Sequence, residues 1–211
     1  MNATEQALQP LFTIGHSNLD GLAFVALLKQ HGVQSVGDVR SSPYSQYNPH
    51  FNREVLQKAL NHDGIEYVFL GDELGARRAE RECYENGQAV YERIALMPLF
   101  KAGLERIKSE AKKFRIALMC AEKDPLHCHR TILVCRHLKS MGLEIQHIHS
   151  DGKLESHAEA ERRLLRTLKF SEDDLFRSKF EILTEAYAAQ GKKIAFAEDE
   201  EAKQREAMRA V

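Results

Sequence analysis

Short apolar runs and stretches of helical periodicity take turns along most of the chain. Leu11-Phe12-Thr13-Ile14, Gln34 to Arg40, Ile65 to Leu70, Ile116 to Met119 and Glu144 to His149 each have the length and side chains of a strand. Between them apolar residues return every three or four positions, as on one face of a helix. Leu22, Phe24, Val25, Leu27 and Leu28 mark the first helix, which Gly32 stops, and Asn52 caps a second. A third spans Ala89 to Lys113, broken or restarted at Pro98, and a fourth carries Thr131, Val134, Cys135, Leu138 and Met141 up to Gly142. Alternation of strand and helix through residue 149 predicts right-handed crossovers and a mostly parallel sheet of about five strands flanked by helices, a Rossmann-like α/β fold.

Beyond Ser156 the pattern is helical, from Ala158 to Leu168 and again from Glu172 to Gln190, where Leu175, Phe176, Phe180, Leu183 and Tyr187 supply apolar contacts. The chain therefore divides into a flexible N-terminus (1–10), an α/β core (11–155), a C-terminal helical extension of the same domain (156–196) and a charged tail (197–211) that frays or packs on a partner. Two connections stand out. Ser41 to Phe51 is a long polar and aromatic loop, of the kind that is functional or mobile. Ala76 to Gln88 is charged and reads as a solvated flap or helix.

With 211 residues and 43% hydrophobic content, one domain can bury a core that needs no staples. A net charge of −1 argues against general attraction to phosphate backbones, so nucleic acid is not indicated, although a local basic patch would still allow it. The first ten residues lack an apolar signal region, and nowhere do about 18 apolar residues run together. The expectation is a soluble, cytoplasmic protein with no membrane partner. Three of the four cysteines fall between Cys120 and Cys135, which is not the spaced framework of a disulfide scaffold, so free thiols are expected. Neither a cofactor nor an oligomeric state is specified.

The chemistry gathers in the stretch from Arg115 to Arg130, which reads as strand, loop and helix start, with Asp124-Pro125 opening the helix. Such a loop lies at the carboxyl end of its strand, where open α/β sheets place their ligand sites. Cys120, Glu122 and the Cys128-His129-Arg130 triplet should then share one small volume. His16 is placed at the tip of the first strand, after a Gly15 that permits close backbone approach, with Ser17 or Asn18 as helix cap. Asp38 and Arg40 share a face near the end of the second strand.

Four kinds of chemistry are open to this set. Arg40 and Arg130 can hold an anion, with Ser17, Ser42, Cys128 and His129 around it, although Asp124 brings negative charge to the helix start. Alternatively the two arginines form structural ion pairs with Asp38 and Glu122. Cys120 or Cys128 can act as a thiolate favoured by His129 and Arg130; the alternative is a small buried thiol, and the phosphatase-type spacing from Cys120 is absent because Leu126 stands there. Cys135, on the apolar stripe, is core. Asp38, Glu122 and His16 are candidates for acid and base, or for hydrogen bonds that hold loops. A metal site from Cys120, Cys128, His129 and His16 is weakly signalled by spacing, and none is assigned. On a helix His127 and His129 point apart, so at most one faces the site. Glu73, Tyr44 and Tyr47 either close over the site from loops or pack on its rim.

Thr13-Ile14-Gly15-His16-Ser17, Asp38-Val39-Arg40 with Ser42-Pro43, Leu70-Gly71 with Leu74-Gly75, and Cys120-Ala121-Glu122 with Cys128-His129-Arg130 resemble the domain-of-unknown-function family 488, over residues 11 to 150. The tail from Ala186 through Ala195-Phe196 is similar to the longer members. The resemblance implies a compact cytoplasmic α/β domain with His16, Asp38, Arg40, Cys120, Glu122, Cys128, His129 and Arg130 in one site. It supplies no reaction. The residues point to an enzyme of hydrolysis or group transfer on a phosphate-bearing or nucleotide-like small molecule, with Cys120, Glu122, Asp38 or His16 supplying the chemistry. The alternative is a non-catalytic module that senses a nucleotide or binds nucleic acid or protein.

Overall fold

The structure is a computed structural model that describes residues 8–171 and 177–198. In chain order its first elements are β1 (Leu11–Gly15), α1 (Gly21–Gln30), β2 (Ser35–Asp38), α2 (Arg53–His62), β3 (Glu66–Phe69) and α3 (Gly71–Leu74). Then come β4 (Tyr84–Glu85), β5 (Gln88–Ala89), α4 (Tyr91–Leu96), α5 (Pro98–Glu110) and β6 (Ile116–Cys120). The last are α6 (Arg136–Ser140), β7 (Ile145–Ile148), β8 (Leu154–Ser156), α7 (His157–Thr167) and α8 (Lys179–Ile194).

Among the described residues the main sheet has six strands in the order β3-β2-β6-β1-β7-β8. All neighbours are parallel except the antiparallel pair of β7 and β8. β6 is central, and all five of its residues are buried because both faces of the sheet are covered. Its side chains alternate between two cores. Ala117 and Met119 pack with Phe24, Leu28, Leu56 and Leu60 of α1 and α2. Ile116, Leu118 and Cys120 pack with Phe100, Leu104, Leu138 and Leu164 of the later helices. Burial of each large apolar side chain here contributes roughly 1.5–3 kcal/mol, so β6 anchors both layers.

Several sequence expectations are corrected. β8 adds a sixth strand that reverses at Gly152, where φ is +80°. The charged stretch read as flap or helix contains the hairpin of β4 and β5, turned by Asn86 and Gly87 with φ of 50° and 77°; two positive φ values suit an Asn-Gly turn. Asp20, not Ser17 or Asn18, caps α1 by accepting from the amides of Leu22 and Ala23. Asn52 stands at the start of α2, but its side-chain Oδ1 accepts from the Ser45 amide instead of capping the helix. Asp124 caps only the single turn Pro125–His127. Cys128 is extended, with φ −135° and ψ 139°, and the main helix begins after it with a wide π-type segment, Arg130–Cys135, that runs into α6. The last helix starts at Lys179 with a capping box from Ser178 and Glu181. Leu175 and Phe176, most of the expected N-terminal segment and most of the charged tail lie outside the described residues.

A buried polar chain ties the sheet to the C-terminal helices. Thr13 donates its hydroxyl to His147 Nδ1 at 2.7 Å, His147 Nε2 donates to His157 Nδ1 at 3.1 Å, and His157 Nε2 donates to the Tyr187 oxygen at 3.0 Å. Tyr187 in turn donates to Glu161, which Lys139 pairs from outside. With both imidazoles neutral the run closes with one proton per link. Burial lowers both, His157 to about 4. A histidine held below its unfolded value contributes stability that is whole above about pH 6.5 and is lost as the pH falls toward 4. His157 accounts for about 3 kcal/mol of this. We predict that the thermal midpoint falls between pH 7 and pH 4 more steeply for the native protein than for His157→Gln, which keeps one donor and one acceptor but cannot titrate. Parallel curves for the two would contradict this reading.

Candidate active site

The tips of β1, β6 and β2 lie side by side because their register is carried past the strand ends. Gly15 pairs with Cys120 and Asp38 with Met119. The amides of His16, Ser17 and Val39 then donate to the carbonyls of Cys120, Ala121 and Met119 at 2.9, 2.7 and 3.1 Å. Gly15 has no room for a side chain: a Cβ there would collide with the Glu122 carbonyl. The same carbonyl accepts from Arg130 Nη1 at 2.7 Å, and Nη2 reaches the Lys123 carbonyl at 3.3 Å. Gly15 on one side and Arg130 on the other thus fix the turn that presents Glu122.

Above these tips opens a polar cleft of about 840 Å³. Its lining includes His16, Ser17, Arg40, Ser42, Cys120, Glu122 and His129, together with the Ser41–Asn48 side of the long loop and the chain from Ile194 to Ala197. At the floor, the Cys120 thiol donates to Glu122 Oε2 at 3.0 Å and lies 3.7 Å from His129 Nδ1, which is 4.0 Å from Cys128 Sγ. His129 Nε2 donates to the Val39 carbonyl at 2.9 Å, so Nδ1 is aimed at the sulfurs. The Arg130 amide donates to Cys128 Sγ at 3.4 Å.

The electrostatics make the two thiols unequal. Burial opposes ionisation of Cys128, but the neighbouring Cys120 thiol, the Arg130 charge and His129 outweigh it and hold that thiol well below its usual range. Burial and the adjacent Cys128 push Cys120 well up. Partial desolvation of the otherwise exposed Glu122 and then the Cys128 charge raise its carboxyl, whereas His129 is raised by Cys128 against the effect of burial. Burial pushes Cys135 far up, in keeping with a core thiol.

Asp38, Arg40 and His16 form a buried network behind the cleft wall, which His16 and Arg40 also line. Asp38 is fully enclosed and does not line the cleft. It accepts from Arg40 Nε at 2.9 Å, Arg40 Nη2 at 2.6 Å and the Tyr67 hydroxyl at 2.7 Å. Arg40 Nη2 also donates to the Phe51 carbonyl at 2.9 Å, and Nη1 donates to His16 Nε2 at 3.3 Å. His16 Nδ1 donates to the Ser17 carbonyl, its ring stacks on Phe51, and burial followed by the Arg40 charge lowers it to about 4.

These contacts correct four expectations. His16 has no lone pair left for a metal, and the donors that meet Cys120, Cys128 and His129 include Glu122 in its place. Arg130 does not line the cleft and gives its guanidinium to two carbonyls, so it does not form an anion clamp with Arg40. His127 and His129 both line the cleft, because the extended Cys128 between them removes the helical 100° step. Glu73 pairs with Arg106, and neither it nor Tyr47 lines the cleft, whereas Tyr44 does and donates to Glu54. Ser17, in the left-handed region at φ 43°, and the exposed Ser42 stand on the wall and rim. Tyr91, Arg77 and the Ile194–Ala197 strap were not foreseen as lining; nothing in their local pattern separates them from packing residues.

Fold and site together define a doubly wound α/β protein with paired thiols, a carboxylate and an imidazole at the tips of its parallel strands. The chain belongs to the family described as Domain of unknown function DUF488, whose model matches residues 22–136. That span is narrower than the resemblance drawn from the motifs: it holds Asp38 through Arg130 and leaves out β1 with His16. No curated protein and no solved structure matches the chain. No helix among the described residues is long and apolar enough to cross a membrane.

Removing one partner of a buried ion pair leaves an uncompensated charge, at a cost of about 3–5 kcal/mol. We therefore predict that Asp38→Asn lowers stability by about that amount in urea denaturation. A loss within experimental scatter would mean that Arg40 does not depend on Asp38 for its placement.

Proposed function

We propose that this protein is an enzyme that hydrolyses, or transfers a group from, a phosphate-bearing or nucleotide-like small molecule held in the cleft. One observation carries the reading: Cys120, Glu122 and His129 open side by side at the floor of a polar cleft of about 840 Å³, within the size range of small-molecule sites. Glu122, with its raised carboxyl, serves as acid and base, and the Cys120–Cys128 pair with His129 supplies the charged centre against which a reacting group is placed. Ser17 and Ser42 offer hydroxyls to the substrate, and Arg40, paired with Asp38, shapes the wall. Tyr44, Tyr91 and Phe196 provide aromatic surface for a ring. Asp38 and His16 act as positioning residues that hold Arg40, and Arg130 positions Glu122. A cytoplasmic setting, which keeps thiols reduced, suits four free cysteines.

The test is a panel of nucleotides and phosphorylated metabolites incubated with native protein and with Glu122→Gln, followed by mass spectrometry of products and thermal-shift titration of binding. Turnover by the native protein should fall by about 10²–10⁴-fold in the variant, while affinity stays nearly constant. Binding without conversion by either form would identify a sensor and remove the enzymatic reading.

A further inference from the structure

We infer that Cys120, Glu122, Cys128 and His129 form a binding site for a zinc-class divalent metal ion. One donor atom from each of the four lies within 4.8 Å of the others. Around a tetrahedral zinc, with sulfur at about 2.3 Å and nitrogen or oxygen at about 2.0–2.2 Å, neighbouring ligand atoms stand about 3.6–3.8 Å apart. Of the two sulfur-to-Nδ1 distances, 3.7 Å from Cys120 already falls in that range and 4.0 Å from Cys128 lies a few tenths of an ångström beyond it. Glu122 Oε2, 3.0 Å from Cys120 Sγ, needs a shift of about half an ångström, which an exposed side chain makes without moving its backbone.

The orienting contacts are those of a metal ligand. His129 gives Nε2–H to the Val39 carbonyl, which fixes the ring so that Nδ1 faces the sulfurs, the arrangement that ligating histidines use. The Arg130 amide holds the Cys128 sulfur from behind. Charge also balances. Two thiolates, a carboxylate and a neutral imidazole around a dication leave one negative charge, which the buried Arg130 side chain offsets. Two sulfurs and a ring nitrogen select zinc or a similar borderline ion over magnesium or calcium, which prefer all-oxygen cages. Cys120 at a strand end and Cys128 and His129 at a helix start are rigidly placed. Glu122, the one exposed member of the four, is the ligand that a substrate or water in the cleft can displace.

The site deepens the enzymatic reading, on which its catalytic use rests; occupancy by the ion does not. Native protein purified without chelator and reconstituted with zinc should hold about one equivalent by elemental analysis. Iodoacetamide should then spare Cys120 and Cys128 until a chelator is added. Cys128→Ser should lose zinc affinity by more than the roughly 10–100-fold that loss of an orienting partner costs, whereas His16→Asn should keep it. Should the cysteine variant not fold, substitution of cobalt into native protein supplies the same answer through a sulfur-to-metal charge-transfer band. Zinc content near zero after reconstitution, with no such band and no protection of the thiols, would overturn the site. Zinc bound without turnover of any panel compound would sink the enzymatic reading and leave the metal; turnover unchanged by removal of bound zinc would leave the enzymatic reading and overturn the metal's catalytic use.

Discussion

The molecule depends on one strand being held on both sides to its last residue. β6 has parallel partners along its whole length, and the ladder continues beyond the strand ends through the amides of His16, Ser17 and Val39. Backbone hydrogen bonds of this kind cannot slip by one residue without turning Leu118 and Met119 into the wrong cores. Register therefore sets the depth at which Cys120 emerges, and with it the position of every group at the site. The chain leaves β1 and β2 toward one face and β6 toward the other, so the tips diverge and leave a crevice.

What fills the crevice is arranged by two buried arginines with opposite assignments. Arg40 is neutralised by Asp38 and spends its remaining donors on His16 and the Phe51 carbonyl, which fastens the long loop to the wall. Arg130, among the described residues, has no carboxylate bonded to it. It grips the carbonyls of Glu122 and Lys123, and its charge favours ionisation of Cys128. The first arginine shapes the cleft; the second shapes the chemistry at its floor. Gly15 completes the arrangement, since any larger residue would push the Glu122 turn away from the thiols.

Much of this was legible in the sequence. A run buried on both faces needs no alternation, so Ile116 to Met119 stood out, and the carboxyl-end rule located Cys120, Glu122 and the Cys128-His129-Arg130 triplet. The two-residue period placed Asp38 and Arg40 together but left open whether Arg40 would meet a ligand or its neighbour; burial decided for the neighbour. β8 was missed because three residues carry too little pattern. The hairpin at Asn86-Gly87 had a readable signal, hidden by the charges around it. Asp124-Pro125 did start a helical turn, but the extended backbone at Cys128, a tertiary outcome, split the helix and turned His129 toward the thiols. Glu122, two residues beyond Cys120, carried the one spacing that could have nominated it over His16 as a partner of the sulfurs.

The central claim is that residues eight apart in sequence, Cys120 and Cys128, face each other across the same imidazole. A trivalent arsenical, which bonds stably only where two thiols adjoin, tests it directly on folded protein freed of metal. The account predicts one adduct per chain, bridging the peptides of Cys120 and Cys128 in tandem mass spectra and leaving Cys83 and Cys135 free. An adduct on any other pair, or none in a sample whose Cys120 and Cys128 still alkylate one by one, would contradict it.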